Sequence, residues 1–261
     1  MVSHIHLISS PATEVKQYKM DSNPSGLCLI INNENFKSEK KRDGSQNDVD
    51  FLKLVFEILG FEVAIHKDLT KSEIKGVMNQ YSKKNHLGDC FVCCVLSHGD
   101  ENGILGYEGE ICPLDDITSP FDGDNCSTLI GKPKVFFIQA CRGKKRQNKA
   151  ELWEDVSGGQ PGEKSDRVFY TISQSSDFLI AMSTVEGYVS FRDTSKGSWF
   201  IQSLCKHLKE GSESGLDILK VLTEVNDDVS RKEAGEKEDC KMTPVIHFTL
   251  RKMLIFRARK S

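Results

Sequence analysis

The sequence lacks several features that would place it in a specialised class of protein. Its longest uninterrupted apolar run, from Cys90 to Leu96, is far shorter than the roughly 20 residues that span a bilayer. We find no stretch with the pattern of a signal peptide. The 35 Lys and Arg residues nearly balance the 38 Asp and Glu residues, so a net charge of −3 gives no global attraction for nucleic acid. We therefore expect a protein that binds neither membranes nor nucleic acid.

The composition also excludes repetitive and wholly disordered proteins. Of 261 residues, 38% are apolar and 28% are charged, which is ordinary for a globular domain and unlike collagen or a long coiled coil. No internal repeat is present. The nine cysteines are an odd number, and several lie in apolar runs typical of buried strands, so we expect reduced thiols in a cytoplasmic protein.

A metal site and a cofactor are not expected. Cys90, Cys93 and Cys94 include a C-x-x-C spacing, but no second pair of ligands lies nearby and the segment has the pattern of a strand. The segment from Gly26 to Asn33 contains no glycine-rich phosphate loop, which argues against a nucleotide-binding protein.

Short apolar runs alternate with amphipathic stretches along most of the chain. Runs of strand type are found at 27–31, 61–65, 90–96, 135–138, 178–182 and 244–256. Helical periodicity is found at 49–59, from an N-cap at Thr70 to residue 81, at 198–208 and at 216–229. Continuous apolar strands separated by helices predict an α/β fold, with a six-stranded, mainly parallel sheet and helices on both faces.

Two regions fall outside this alternation. Residues 1–25 are polar and contain Pro11 and Pro24, which predicts a flexible N-terminal arm before a single domain over 26–261. Residues 144–176 have a basic start, a glycine-rich centre and no periodicity, and such a long irregular stretch inside a domain is normally functional or disordered. The basic C-terminal residues, Arg251 among them, are expected to be solvated.

Cys141 and His98 are the candidate catalytic residues. Cys141 ends an apolar strand and precedes Gly143, and its thiolate needs a base or a positive neighbour. His98 ends another apolar strand. If these strands are adjacent and parallel, both side chains emerge at the same edge of the sheet. The amides of Gly99 and Cys141 are then placed to form an oxyanion hole.

Four motifs carry a resemblance to the caspase family. They are Ser97-His98-Gly99, the segment 139–143 (Gln-Ala-Cys-Arg-Gly), the segment 189–192 (Val-Ser-Phe-Arg) and the segment 197–205 (Gly-Ser-Trp-Phe-Ile-Gln-Ser-Leu-Cys). The resemblance covers about 26–256, and segments 222–226 and 248–252 look like the initiator branch that contains caspases eight and ten. Arg142 departs from that branch, which has glutamine there, and agrees with the executioner branch. The resemblance implies a three-layer sandwich and cleavage of peptide bonds after aspartate.

The resemblance also implies which residues read the substrate. In the family, two arginines and a glutamine line the primary pocket, and they match Arg42, Arg192 and Gln139 here. Two guanidinium groups suit a carboxylate, whereas an amide or a lysine would leave buried charge unpaired. Further along the peptide, the family positions match Val189, Phe191 and Trp199, and the strand segment at Ser190 is expected to pair with the substrate backbone.

The irregular segment 144–176 acquires a role from the same resemblance. Caspases are cut there after aspartate, which separates a large-subunit part (26–143 here) from a small-subunit part (177–261 here). Asp155 and Asp166 are the candidate cleavage sites. The resemblance further implies a homodimer of such pairs, activation by dimerisation and cleavage, a role in cell-death signalling, and caspase-family partners or inhibitors. A catalytically silent regulator of the same fold is the main alternative, disfavoured because both catalytic residues are present.

Overall fold

A computed structural model describes residues 16–143, 147–148, 176–188, 190–233 and 240–259. Six strands form the main sheet, and seven shorter strands lie around it. The strands of the main sheet are β1 (Gly26–Asn32), β2 (Phe61–Lys67), β3 (Cys90–Leu96), β7 (Lys134–Gln139), β9 (Phe178–Met182) and β13 (Val245–Phe248). The shorter strands are β4 (Gly99–Asp100), β5 (Gly103–Leu105), β6 (Ile111–Cys112), β8 (Gln147–Asn148), β10 (Arg192–Asp193), β11 (Gly197–Ser198) and β12 (Cys240–Lys241).

The main sheet has the order β13-β9-β7-β3-β1-β2. All neighbouring strands are parallel except β13, which pairs antiparallel with β9. The central strands β3 and β7 are buried along their whole length, which explains their continuous apolar sequences. The predicted six-stranded, mainly parallel sheet is therefore confirmed.

Helices cover both faces of this sheet. The helices are α1 (Ser45–Ile58), α2 (Lys71–Ser82), α3 (Leu114–Thr118), α4 (Trp199–Ser214) and α5 (Ile218–Arg231). On one face α1, α4 and α5 enclose an apolar cluster, and on the other α2 and α3 enclose a second cluster. The arrangement is the predicted three-layer sandwich. None of the helices in the described part of the chain has the length and the apolar composition that a membrane span requires.

Helix α2 begins at the N-cap that the sequence indicates. The Thr70 hydroxyl accepts the Glu73 backbone N–H at 3.3 Å, and the Glu73 carboxylate accepts the Thr70 N–H at 2.9 Å. This reciprocal capping box satisfies two donors that a helix start leaves unpaired.

The described residues at the two ends of the chain differ from what the sequence suggests. Residues 16–25, the described part of the predicted flexible arm, pack against the body, and Tyr18 is only 3% exposed. The Tyr18 N–H donates to the Met253 carbonyl at 2.9 Å. The predicted final strand 244–256 ends at Phe248, and backbone hydrogen bonds of Thr249 with Phe178 and Asp177 extend its pairing with the β9 side by only one more residue.

Arg251 is likewise not a freely solvated residue. Its guanidinium group donates to both carboxylate oxygens of Asp177 at 2.8 and 2.7 Å, and the Tyr18 hydroxyl donates to the same carboxylate at 2.6 Å. This network joins the arm, the start of β9 and the C-terminal segment.

Candidate active site

The sheet brings the segments that carry His98 and Cys141 to one edge. Strands β3 and β7 are parallel neighbours with Leu96 opposite Gln139, and the Ser97 N–H donates to the Gln139 carbonyl at 3.0 Å. The residues that follow therefore emerge side by side. A Cβ atom placed on Gly99 would lie 2.9 Å from the Cys141 carbonyl oxygen, so only glycine permits this close approach of the two backbones.

The hydrogen bonding of His98 defines its tautomer. Its Nε2 lies 2.7 Å from the Lys40 carbonyl oxygen, which can only accept, so Nε2 carries the proton. In the neutral ring, Nδ1 is then the nitrogen able to accept a proton. Burial lowers the pKa of His98, and the charges of Arg42 and Arg192 act in the same direction, whereas the Lys40 carbonyl acts to raise it. The ring is thus predominantly neutral at pH 7.

Cys141 differs from the other cysteines in its exposure. All nine lie in the described residues as free thiols, and Cys141 alone is not fully buried. The Ser190 backbone N–H donates to its Sγ at 3.4 Å. By contrast, burial raises the pKa of Cys93 and Cys94 well above the usual thiol range. Of the nine thiols, Cys141 is therefore the one suited to act as a nucleophile.

Arg42 is a buried cation with an incomplete set of partners. It is 1% exposed, and its Nη1 donates to the Asn32 side chain at 3.3 Å and to the Asn33 carbonyl at 3.2 Å. Its Nη2 has no hydrogen-bond partner among the described residues. Burial, together with the neighbouring charge of Arg192, lowers the pKa of Arg42 to about 9, against the opposing effect of the Asp48 carboxylate. Such a group favours an incoming anion.

Arg192 approaches the same place from a different part of the chain. Its Nε donates to the Asp43 carbonyl at 2.8 Å, which leaves its terminal nitrogens for other contacts. Its strand β10 pairs with β11, where Ser198 lies opposite Arg192. The buried carboxylate of Asp48, in α1, accepts the Ser198 N–H at 2.7 Å and the Ser198 hydroxyl at 2.5 Å. Asp48 thereby connects the hairpin of β10 and β11, which carries Arg192, to α1.

Gln139 and Ser190 lie beside the two arginines and complete the candidate pocket. The Gln139 side chain is 2% exposed, and its Nε2 donates to the Ser190 hydroxyl at 2.7 Å. Its Oε1 has no partner among the described residues. Gln139, Arg42 and Arg192 thus come from β7, the loop before α1 and β10, respectively.

The rings of Phe191 and Trp199 lie together, with centroids 5.2 Å apart, and both pack partly buried against the larger apolar cluster. This placement agrees with a wall for substrate side chains and equally with core packing. Val189, Asp155 and Asp166 lie outside the described residues. Among the residues that are described, no group of three or more His, Cys, Asp or Glu could hold a metal ion.

Sequence reasoning missed four contributors to the site. These are the Lys40 carbonyl, the Asn33 carbonyl, the Asp48 carboxylate and the Met242 sulfur, which accepts the Phe191 N–H at 3.1 Å. Two of them act through backbone atoms, which no side-chain pattern reveals. Asp48 could have been found from the sequence, because it is an acidic residue on the apolar face of the helix predicted near it, and a buried carboxylate needs a hydrogen-bond partner.

Comparisons with known proteins show the family to which the chain belongs. A family model described as the caspase domain matches residues 25–255. Caspase-8 of Rattus norvegicus is 41% identical over 253 residues, with 92% of this chain and 52% of that protein covered. Caspase-3 of Mesocricetus auratus is 43% identical over 251 residues, with 95% of this chain and 83% of that protein covered.

A structural comparison gives the same result. The crystal structure of caspase-1 from Spodoptera frugiperda superposes with a TM-score of 0.82 at 34% identity, covering 96% of this chain and 97% of that one. The chain spans about half the length of the rat and mouse caspase-8 proteins that it matches. On the family match and the extent of these similarities, the chain belongs to the caspase family.

Proposed function

We propose that this protein is a cysteine endopeptidase that cleaves protein substrates after aspartate. The observation that carries the proposal is the gathering of two arginines next to the candidate nucleophile. Arg192 lies two residues after Ser190, whose N–H donates to the Cys141 Sγ, and its charge acts on Arg42, which keeps a buried donor without a partner among the described residues. A substrate carboxylate supplies the missing acceptor and places the following peptide bond at the thiol.

The proposed reaction uses His98 to move a proton. The thiol proton of Cys141 passes to Nδ1 of His98, and the sulfur bonds to the substrate carbonyl carbon. The amides of Gly99 and Cys141 donate to the resulting oxyanion. His98 then gives its proton to the leaving amine as the C–N bond breaks, and water hydrolyses the thioester to release the acid and the thiol.

Specificity for aspartate follows from the charges of the pocket. Arg42, Arg192 and Gln139 would surround the side chain of the residue before the cleaved bond. An asparagine there would leave two guanidinium groups without an anion, and a lysine would be repelled. The Ser190 segment pairs with the substrate backbone by β-augmentation, with Phe191 and Trp199 beside it.

Replacement of the nucleophile tests the proposal. Cys141→Ala should abolish hydrolysis of an aspartate-containing fluorogenic peptide, because no other described thiol is exposed at the site. Cys93→Ala is the matched control: it removes a fully buried sulfur from β3 and should retain activity, with a stability loss of about 1–3 kcal/mol. Turnover by Cys141→Ala at the parent rate would eliminate the mechanism.

The proposal extends to regulation. The protein acts as a homodimer of large and small subunit pairs, and cleavage of the linker 144–176 together with dimerisation completes the pocket. We expect breaks after Asp155 or Asp166 in the expressed protein, detectable by mass spectrometry and absent in Cys141→Ala. An Asp155→Ala, Asp166→Ala double variant should stay uncut and have reduced activity. Full activity of that uncut variant as a dilute monomer would refute this regulation.

The cellular setting is also proposed from the family. A cytoplasmic protease in apoptotic or related cell-death signalling agrees with nine free thiols and with relatives named caspase-8 and caspase-3. Its partners would be aspartate-containing protein substrates and caspase-family partners or inhibitors. A catalytically silent regulator remains the second candidate, and the Cys141→Ala comparison separates the two.

A further inference from the structure

A buried methionine lies behind the strand segment that is proposed to bind substrate. Met242 is 0% exposed, and its Sδ is within hydrogen-bond distance of two donors. The Phe191 backbone N–H donates to this sulfur at 3.1 Å, and the Ser190 hydroxyl donates to it at 3.3 Å. A thioether is a weak acceptor and usually fills apolar space, so its use as a double acceptor is unusual.

The sulfur also determines the direction of the neighbouring hydrogen bonds. A thioether can only accept, so the single Ser190 hydroxyl proton is directed to Met242. The Ser190 oxygen is then left to accept, and it accepts the Gln139 Nε2 at 2.7 Å. Gln139 must therefore turn its NH2 group to Ser190, which leaves its Oε1 as the atom without a partner among the described residues. Met242 thus acts on a pocket residue through Ser190.

Met242 itself is held by backbone pairing on both sides. It follows β12, which pairs antiparallel with β8, with Lys241 opposite Gln147. The next residue, Thr243, accepts the Val185 N–H on its carbonyl at 3.2 Å. The methionine is therefore a fixed support, and one of the strands that fixes it lies within the linker 144–176.

We propose that Met242 is a positioning residue for substrate binding, which holds the Ser190–Phe191 segment and orients Gln139 through its sulfur. The inference rests on the proposed function, since it assigns a support to that same site. Met242 touches no reacting atom, so it affects how well the peptide binds and leaves the chemistry of Cys141 unchanged.

Two substitutions distinguish the role of the Met242 sulfur as a hydrogen-bond acceptor from the role of the side chain in filling space. Met242→Leu keeps a similar volume but accepts no hydrogen bond, so the Phe191 N–H and the Ser190 hydroxyl lose their partner. We expect a roughly ten-fold lower kcat/KM on an aspartate-containing peptide, with the loss in KM because the strand binds substrate and transition state alike. Met242→Gln supplies a stronger acceptor of similar reach and should restore KM to the parent value or below it.

Met78→Leu is the matched control. Met78 is equally buried, but it lies in α2 on the opposite face of the sheet, so the same chemical change there should leave KM unchanged. Parental KM in Met242→Leu would overturn the inference, and so would a Met242→Gln variant that is no better than Met242→Leu.

Hydrogen exchange gives a readout that does not depend on activity. Without substrate, the peptide containing the Phe191 amide should exchange faster in Met242→Leu than in the parent, and Met242→Gln should slow it again. Unchanged exchange in Met242→Leu would overturn the inference even in an active enzyme. A parent protein without peptidase activity would instead overturn the proposed function, while the exchange comparison would still decide the role of Met242.

Discussion

Removal of Arg192 tests the proposed pocket most quantitatively. In Arg192→Ala the substrate carboxylate loses one charge-assisted partner, while Arg42 remains with its unpartnered Nη2. A hydrogen bond to a charged group contributes about 1.5–3 kcal/mol, which corresponds to a roughly 10- to 150-fold lower kcat/KM. The loss should be specific to substrates with a carboxylate.

The folded protein should tolerate this change. The Arg192 Nε donates to the Asp43 carbonyl, and that single bond is lost. Against this loss, the two guanidinium groups repel each other, since the charge of Arg192 helps burial to lower the pKa of Arg42 to about 9. Relief of this repulsion offsets the missing bond, so we expect a urea unfolding midpoint close to that of the parent.

The assay compares two peptides that differ only in aspartate or asparagine before the cleaved bond. The parent should strongly prefer aspartate, and the preference should shrink by the same 10- to 150-fold factor in Arg192→Ala. Arg231→Ala is the matched control, because Arg231 is an exposed residue of α5 whose guanidinium group pairs with Asp227, four residues earlier in the same helix. An unchanged aspartate preference in Arg192→Ala would refute the carboxylate-reading pocket.

Two further predictions concern titration and stability. His98 must be neutral to accept the thiol proton, and its pKa is lowered, so the acidic limb of the pH profile of kcat/KM should have its midpoint below about pH 6.5. In Arg192→Ala, which removes a positive charge near His98, this midpoint should move to higher pH. A midpoint above about pH 6.5 in the parent would contradict the assignment of His98. Tyr18→Phe should lower the free energy of unfolding by about 1.5–3 kcal/mol in urea titrations, since it removes the hydroxyl that donates to Asp177. Tyr107→Phe is the control and should change that free energy by less than about 0.5 kcal/mol, because Tyr107 is only half-buried and is not part of the network of Tyr18, Asp177 and Arg251; equal effects of the two variants would contradict the anchoring role of Tyr18.

The sheet, and the placement of the segments that carry His98 and Cys141 at one of its edges, could be predicted from local sequence. Apolar strands that end at His98 and Cys141 contain the necessary information, because parallel neighbouring strands bring their carboxyl ends to one edge. The Thr70–Glu73 capping box is equally local, since both partners lie within one helical turn.

The supports of the site could not be predicted in the same way. The Lys40 carbonyl and the Met242 sulfur meet the site through contacts between distant parts of the chain, and neither residue type signals the role. The packing of residues 16–25 could not be predicted for a similar reason. Tyr18 lies in a polar stretch of sequence, but its ring is buried and its hydroxyl donates to Asp177, 159 residues away. Local propensity gives no information on such pairings.

The central claim is that Cys141 is a nucleophile served by a pocket that reads a carboxylate. Mass spectrometry after incubation with a peptide chloromethyl ketone tests both parts at once, because the thiolate displaces chloride and leaves a stable thioether. With an aspartyl chloromethyl ketone, we predict one modification per chain, located on Cys141, and much weaker modification by the asparaginyl chloromethyl ketone. Equal modification by the two reagents, or an adduct on a different cysteine, would contradict the account.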